Sequence, residues 1–266
     1  MVFLEKRGGI VTIGAKTKDR ITAKLKRYQT VMERALSEDI NESDTVTIVT
    51  DILCEVLGFD KYENLTSEYA IKKTYCDLAI KIANKVPLLI ECKAIGIDLK
   101  EDHIRQATGY AANSGIEWVV LTNARCWKIY KIVFSQPVDK KLIYEFQFSD
   151  ISSRKPETLE WLYPLCMESF PKGVAEGLNE RYNQKQVFNR YLVGQLLVSE
   201  EVLTCARRKF KRLFPDIRID TELLADLVKG EILKREIFDS DESKEAVKLL
   251  KKAEKRLAAK ENKDEA

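Results

Sequence analysis

Apolar side chains recur along this chain in two rhythms, and the rhythm changes twice. From Lys16 to Leu36 they fall at Ile21, Leu25, Tyr28, Met32 and Leu36. Steps of three and four residues place them on one stripe of a helix. Lys18, Arg20, Lys24, Lys26, Arg27 and Arg34 lie off that stripe, which predicts a solvated face; a phosphate-contacting arm is the alternative. Residues 1–15, broken by Gly8, Gly9 and Gly14, predict an irregular or short-strand lead-in. The stretch "NESD" offers a cap, so a second helix is expected from Ser43 or Asp44 through Val46, Val49, Leu53 and Val56, ended by Gly58.

The rhythm then shortens to two. Runs rich in β-branched and aromatic residues predict strands at 75–82, 87–93, 118–122, 126–134 and 141–148, with a helix over 100–113. Strand 87–93, that helix and strand 118–122 form an expected right-handed βαβ unit. Its helix would cover one face of the sheet, and the helix at 43–57 is expected on the same face. After residue 150 the helical rhythm returns. "SSRKPETLEWLYPLC" reads as a connector with a short helix, and from Val174 the pattern is almost wholly helical. The tail carries a stripe at Val247, Leu250, Ala253 and Leu257 before a polar end. No fixed-period repeat occurs. The expected organisation is a lead-in and helix over 1–42, an α/β domain over 43–150 with a mixed sheet flanked by helices, and a mainly helical region over 151–266.

Composition narrows the chemistry. The 266 residues include 45 Lys and Arg against 42 Asp and Glu, a net charge of +3. A nucleic-acid partner would therefore meet a local basic patch rather than a global field. "CARRKFKRLF" supplies one candidate, with Arg207, Arg208, Lys209, Lys211 and Arg212 around Phe210; a solvated helix face is the plainer reading. The six cysteines include no C-x-x-C pair, and His103 is the one histidine. That disfavours a zinc site and fits reduced thiols in a cytoplasm. The first residues show no apolar signal segment, and no apolar run approaches membrane-spanning length. "GGIVTIGAKT" lacks the Lys directly after the second Gly that a phosphate loop needs, because Ala15 intervenes.

The hairpin "YCDLAIKIANKVPLLIECKA" holds the candidate chemistry. Strand alternation groups Asp77, Ala79 and Lys81 on one face, and Leu89, Glu91 and Lys93 on one face of the second arm. The aliphatic faces of the two arms align only if Asp77 shares a side with Glu91 and Lys93. That parity predicts a three-residue loop or a bulge near Asn84–Val86 in place of a simple two-residue turn. Two close carboxylates need a cation between them. Lys93 supplies part of that charge. Mg²⁺ would supply more, held by Asp77, Glu91 and the backbone carbonyl of Cys92, with phosphate completing its shell. Ordinary cross-strand ion pairs on a solvated face are the alternative.

These residues resemble the D…(D/E)-x-K core of the PD-(D/E)XK nuclease superfamily: Asp77, then Glu91-Cys92-Lys93. "VLGFDKYENLTSEYAI" before the core and "DLKEDHIRQATGYAANSGIEWVVLTNARCWKIYKI" after it are similar to the N-terminal nuclease domain of type I restriction enzyme R subunits, over residues 45–135. Gln106…Tyr110 matches the Q-x-x-x-Y pair of that domain. The resemblance implies a restriction-endonuclease-like fold and Mg²⁺- or Mn²⁺-dependent hydrolysis of DNA in a restriction or defence system. It makes Asp77 and Glu91 metal ligands and Lys93 catalytic, and it sets Gln106 and Tyr110 at the edge of the site. Many members add a Glu from the helix before the sheet, for which Glu55 is the best-placed match and Asp51 the substitute. His103 has no role in the family pattern.

A full R subunit continues into a helicase motor, whereas residues 151–266 are helical and carry no Walker motif. Translocation is therefore not implied, and specificity or motor functions would fall to separate subunits. Two other functions remain open at this level. One is a non-cleaving nucleic-acid-binding or regulatory protein that keeps the fold. The other is an oligomeric scaffold that pairs with a second copy through Leu250 and Leu257 on its C-terminal helices.

Overall fold

The computed structural model of the chain describes residues 13–71 and 74–264. The expected lead-in over 1–15 lies almost wholly outside them. Among the described residues two compact units divide at Tyr182/Asn183, within a single helix.

The first unit begins with α1 (Ala15–Ser37) and α2 (Glu42–Glu55). α2 starts earlier than the cap reading placed it. Asn41 is the N-cap, its side chain accepting the Asp44 N–H at 2.9 Å, so Glu42 is already helical. A six-stranded sheet follows in simple order: β1 (Leu65–Ile71), β2 (Thr74–Ile82), β3 (Lys85–Cys92), β4 (Trp118–Thr122), β5 (Cys126–Val133) and β6 (Asp139–Gln147). All neighbours are antiparallel except β3 and β4, which run parallel. A 3₁₀ turn (Glu101–Ile104) and α3 (Arg105–Ser114) connect that pair, as the expected βαβ unit requires. β1 is the strand that the sequence reading lacked.

The two helical layers sit on opposite faces of the sheet, which corrects the expectation that α2 and α3 share one. Val49, Ile52 and Leu53 of α2 pack with Ile21, Leu25 and Tyr28 of α1 on Leu78, Ile80, Leu88 and Ile90. Ala107, Tyr110 and Ala111 of α3 pack on Ala79, Leu89, Val119 and Leu121. Each strand thus buries alternate residues in different cores, which is why β3 and β4 read as nearly continuous apolar runs.

Residues after the sheet complete the α2 side. The short α4 (Pro156–Leu159) and the turns beyond it bring Leu159, Leu162, Leu165, Phe170 and Leu178 into the same core, up to the start of α5 (Glu176–Val187). Arg20 joins these layers. Its guanidinium donates to the Val56 and Leu57 carbonyls at 3.0 and 3.1 Å and pairs with Glu168 at 2.6 Å. Gly58, at φ +87°, ends α2 under that group; a Cβ there would lie 2.5 Å from Arg20 Cζ. Lys24 and Arg27 pair with Glu55, and Arg34 with Glu38, so most of the basic face of α1 is tied within the chain.

The second unit holds α6 (Arg190–Leu197), α7 (Glu200–Leu213), α8 (Thr221–Leu227), α9 (Glu236–Asp239) and α10 (Asp241–Asp264). Gly194 of α6 seats Ile237 of α9 so closely that a Cβ would meet its Cγ2 at 2.3 Å. Gln195 donates to Ser243 of α10 at 3.0 Å. Of the α10 stripe, Val247 and Leu250 are half-buried, while Ala253 and Leu257 are exposed.

Candidate active site

The β2–β3 hairpin resolves the parity question with the bulge and not with the longer loop. Ala83 and Asn84 form a two-residue loop, each at positive φ, and Ile82 pairs with Lys85. Farther up, Ile80 pairs with Leu88, so a bulge adds one residue to β3 around Val86 and Pro87. The expected bulge is present and the loop is shorter than expected. Pro87 falls where a ladder N–H is not needed. Beyond the bulge the register holds through Leu78↔Ile90, and past it Asp77 lies beside Cys92 and close enough for its charge to act on Glu91.

Asp77 and Glu91 are held differently. The Cys92 backbone N–H donates to Asp77 Oδ2 at 2.7 Å. Glu91 is only 6% exposed, on the α3 side of the sheet. Burial raises its pKa above the ordinary carboxylate value, and the Asp77 charge raises it further; the Lys93 ammonium pulls the other way without winning. Lys93 Nζ lies 2.9 Å from Glu91 Oε1 and 3.3 Å from Glu42 Oε1. Burial works against its charge, but the Glu91 hydrogen bond and the Glu91, Glu42 and Asp77 charges prevail, so its pKa is raised. It is an ammonium at neutral pH.

Cys76 forms the floor. It packs with Ala79 and Leu89 rather than with Leu78 and Ile80, so strict alternation breaks at Asp77. Burial first, and then Glu91 and Asp77, push its thiol up to about 12. It stays protonated, with Sγ 3.2 Å from the Ile90 carbonyl, and is no nucleophile. Cys92 points to the opposite core.

The helix carboxylate beside this group is Glu42, and neither sequence candidate occupies its place. Glu55 sits at the other end of α2, paired with Lys24 and Arg27 at 3.0 Å each. The resemblance fixed a Glu on the helix, but its direction relative to β3 decides which one. The N-terminal turn of α2 meets the chain just after Lys93, where Thr45 Oγ1 accepts the Ile95 N–H at 3.1 Å. Thr45 is fully buried there, and nothing in the sequence alone marks that end of the helix as the one beside the site.

The loop after Lys93 is fastened from its other side too. Lys93 N–H donates to the Thr122 carbonyl at 2.9 Å. Asn123, 4% exposed, donates to the Ile97 carbonyl at 2.8 Å and accepts the Cys126 N–H at 2.7 Å. Lys128 donates to the Leu99 carbonyl at 3.0 Å. The "LTNAR" turn is thus a clamp on the segment that carries Lys93.

Gln106 and Tyr110 are hydrogen-bonded to each other on α3, with Tyr110 buried in the core on the Glu91 face and Gln106 exposed. Their hydrogen bond is to each other, and the ion pairs of Lys93 run to Glu91 and Glu42. His103 accepts the Lys100 N–H through Nδ1 at 3.2 Å and caps the 3₁₀ turn. Arg207, Arg208, Lys209, Lys211 and Arg212 lie on α7 in the second unit, all exposed.

A mixed sheet between helical layers, with two neighbouring carboxylates and a lysine at the end of a parallel strand, defines an α/β domain. Residues 48–145 match the family model described as Type I restriction enzyme R protein N terminus (HSDR_N), the resemblance drawn from the sequence. The match includes Asp77, Glu91, Lys93, Gln106 and Tyr110; Glu42 and Thr45 lie before it. No curated protein and no solved structure matches the chain significantly. No helix among the described residues is long and apolar enough to cross a membrane.

Proposed function

We propose that this chain is a metal-dependent nuclease of the restriction or defence type, hydrolysing DNA phosphodiester bonds at the Asp77–Glu91–Lys93 site. One observation carries the reading. Lys93 lies 2.9 Å from Glu91 and 3.3 Å from Glu42, and the Asp77 charge acts on both Glu91 and Lys93, so one ammonium answers three carboxylates. A packed domain does not gather that excess of negative charge for stability.

The donor set fits Mg²⁺ or Mn²⁺. Among the described residues no three Asp, Glu, His or Cys side chains are grouped so as to hold a metal ion, so only a carboxylate pair is on offer. Mg²⁺ takes one or two carboxylates, keeps several waters and accepts phosphate oxygens, so an open carboxylate pair suits it. Asp77 and Glu91 would hold it, with Glu42 as the third carboxylate at the margin and the Cys92 carbonyl as a further oxygen. When bound it would polarise the phosphodiester and ease deprotonation of water. The chain supplies the rest. The Cys92 N–H fixes the Asp77 carboxylate. Lys93 keeps its proton, so it acts as a positive hydrogen-bond donor to the attacking water or to the charge that develops on the phosphoryl oxygens. Gln106 and Tyr110, on the helix that covers this face, would guide the substrate. DNA is the partner.

The test is a cleavage assay on plasmid and linear DNA with Mg²⁺ or Mn²⁺. Lys93→Ala should lower cleavage by about 100-fold or more while leaving the far-UV spectrum unchanged. Equal cleavage by both proteins would remove the assignment. Metal-independent DNA binding with no cleavage by wild type would favour the non-cleaving reading instead.

A further inference from the structure

The strongest unassigned feature lies in the second unit, far along the chain from the catalytic motifs. Residues 207–212 of α7 read Arg-Arg-Lys-Phe-Lys-Arg, five cations without one acid. All five side chains are exposed, and none takes part in an ion pair found among the described residues. The acids of α7 are Glu200 and Glu201, confined to its first turn.

This arrangement works against helix stability. Arg207 with Lys211 and Arg208 with Arg212 are like-charge pairs at i,i+4, each destabilising by roughly 0.2–0.5 kcal/mol. The helix dipole favours cations in the last turn, which accounts for Lys211 and Arg212. It does not account for Arg207 and Arg208 a turn earlier. Elsewhere in the second unit acids are interspersed: α10 mixes Glu242, Glu245, Glu254 and Glu261 with its lysines, and Lys244 pairs with Asp241 at 2.7 Å.

Two aromatic rings border the basic rows. Phe210 follows Arg207 by three positions, which makes them neighbours on the helix surface, and Phe214 is the C-cap just beyond Lys211 and Arg212. Their centroids are 6.3 Å apart, and they are 41% and 50% exposed. Unpaired cations in two rows beside exposed rings match what polyphosphate backbones and unstacked bases require.

We propose that the α7 face is a second nucleic-acid-binding surface. Arg207, Arg208, Lys211 and Arg212 contact phosphates, and Phe210 and Phe214 offer faces to bases. This surface binds without divalent metal and does not depend on the Asp77 site. Its place in the function is to hold the nucleic acid on which the first unit acts.

The test uses the full-length chain in EDTA, with Asp77→Ala in the background so that no cleavage enters. Fluorescence anisotropy with labelled duplex and single-stranded oligonucleotides gives affinity against salt. Each phosphate contact contributes about 0.9 to the logarithmic salt slope on duplex and about 0.7 on single strands. The variant R207Q/R208Q/K211Q/R212Q should lower the slope by about 3 and weaken binding at least tenfold near 0.1 M salt. Phe210→Ala should weaken single-strand binding more than duplex binding. A charge-matched control, K248Q/K251Q/K252Q/K255Q on α10, separates local recognition from net charge. An unchanged slope and affinity on both oligonucleotides for the α7 variant overturns the proposal. So does an equal loss in the α10 control. If wild type binds as expected yet never cleaves, the nuclease reading fails and this one stands.

Discussion

Asp77 Oδ2 accepts the backbone N–H of Cys92 at 2.7 Å, so a catalytic candidate on one strand also holds the backbone of the next. The two roles separate by substitution. Asp77→Asn keeps an oxygen acceptor and removes the charge; it should fold like wild type and lose cleavage by at least about 100-fold. Asp77→Ala also leaves the Cys92 amide without its partner, which should cost about 1–2 kcal/mol in urea unfolding. Equal stability of the two variants would mean that the hydrogen bond holds nothing.

Glu42 and Glu55 make a sharper pair. Glu42 approaches Lys93 at 3.3 Å, and Glu55 is engaged by Lys24 and Arg27 at the far end of α2. Glu42→Gln should lower cleavage by about 10–100-fold, the usual effect of a residue that supports a metal or its ligands. Glu55→Gln should leave cleavage unchanged and cost less than about 1 kcal/mol, as half-exposed ion pairs do. Parallel titrations with Mn²⁺ check both.

The central motif was legible in the sequence because strand parity and chemistry agreed on Asp77, Glu91 and Lys93. The bulge at Val86–Pro87 was legible for the same reason, since two aliphatic faces had to align. Three features were not. β1 was missed because Ser67 and Glu68 interrupt its apolar pattern, and an edge strand has one neighbour to satisfy. Glu42 was missed because a 3.6-residue period gives a helix its face and says nothing of which end meets the sheet. The opposite placement of α2 and α3 was missed because both arms of β2 and β3 bury alternate residues in two cores, so either helix suits either face. The second unit's α6–α9 contacts rest on close approaches such as Gly194 to Ile237, which no periodicity reveals.

Asn123 gives a prediction about positioning. Its side chain spans the Ile97 carbonyl and the Cys126 N–H, and thereby clamps the loop that leaves Lys93. Asn123→Ala strands two half-buried groups and should cost about 1–2 kcal/mol. Asn123→Asp keeps the acceptor for Cys126 and loses the donor to Ile97, so it should fall between. Because the loop orients Lys93, the cleavage rate should drop in both variants while oligonucleotide affinity in EDTA stays constant. A loss of affinity in step with rate would mean that Asn123 acts on binding or on the fold at large.

Glu91 should show the conflict between site and stability. Folding raises its pKa through burial and the nearby Asp77 charge, so the folded chain holds its proton at pH values where the unfolded chain has released it. The unfavourable contribution is therefore absent below the ordinary carboxylate range near pH 4. It grows as pH rises toward the raised pKa and is complete above it. Glu91→Gln should remove it: the variant should be more stable than wild type at pH 7, with the difference shrinking toward pH 4. The loss of the 2.9 Å pair with Lys93 opposes this gain, but that attraction is already included in the raised pKa and does not reverse it. Cleavage by the variant should fall to background. Divalent metal should restore part of wild type's deficit, because a cation between Asp77 and Glu91 favours the charged form in the folded state alone. Thermal melts at pH 4 to 8, with and without Mn²⁺, read all three effects. A Glu91→Gln protein less stable than wild type at pH 7 without metal would show that the Lys93 pair, and not burial, governs this carboxylate.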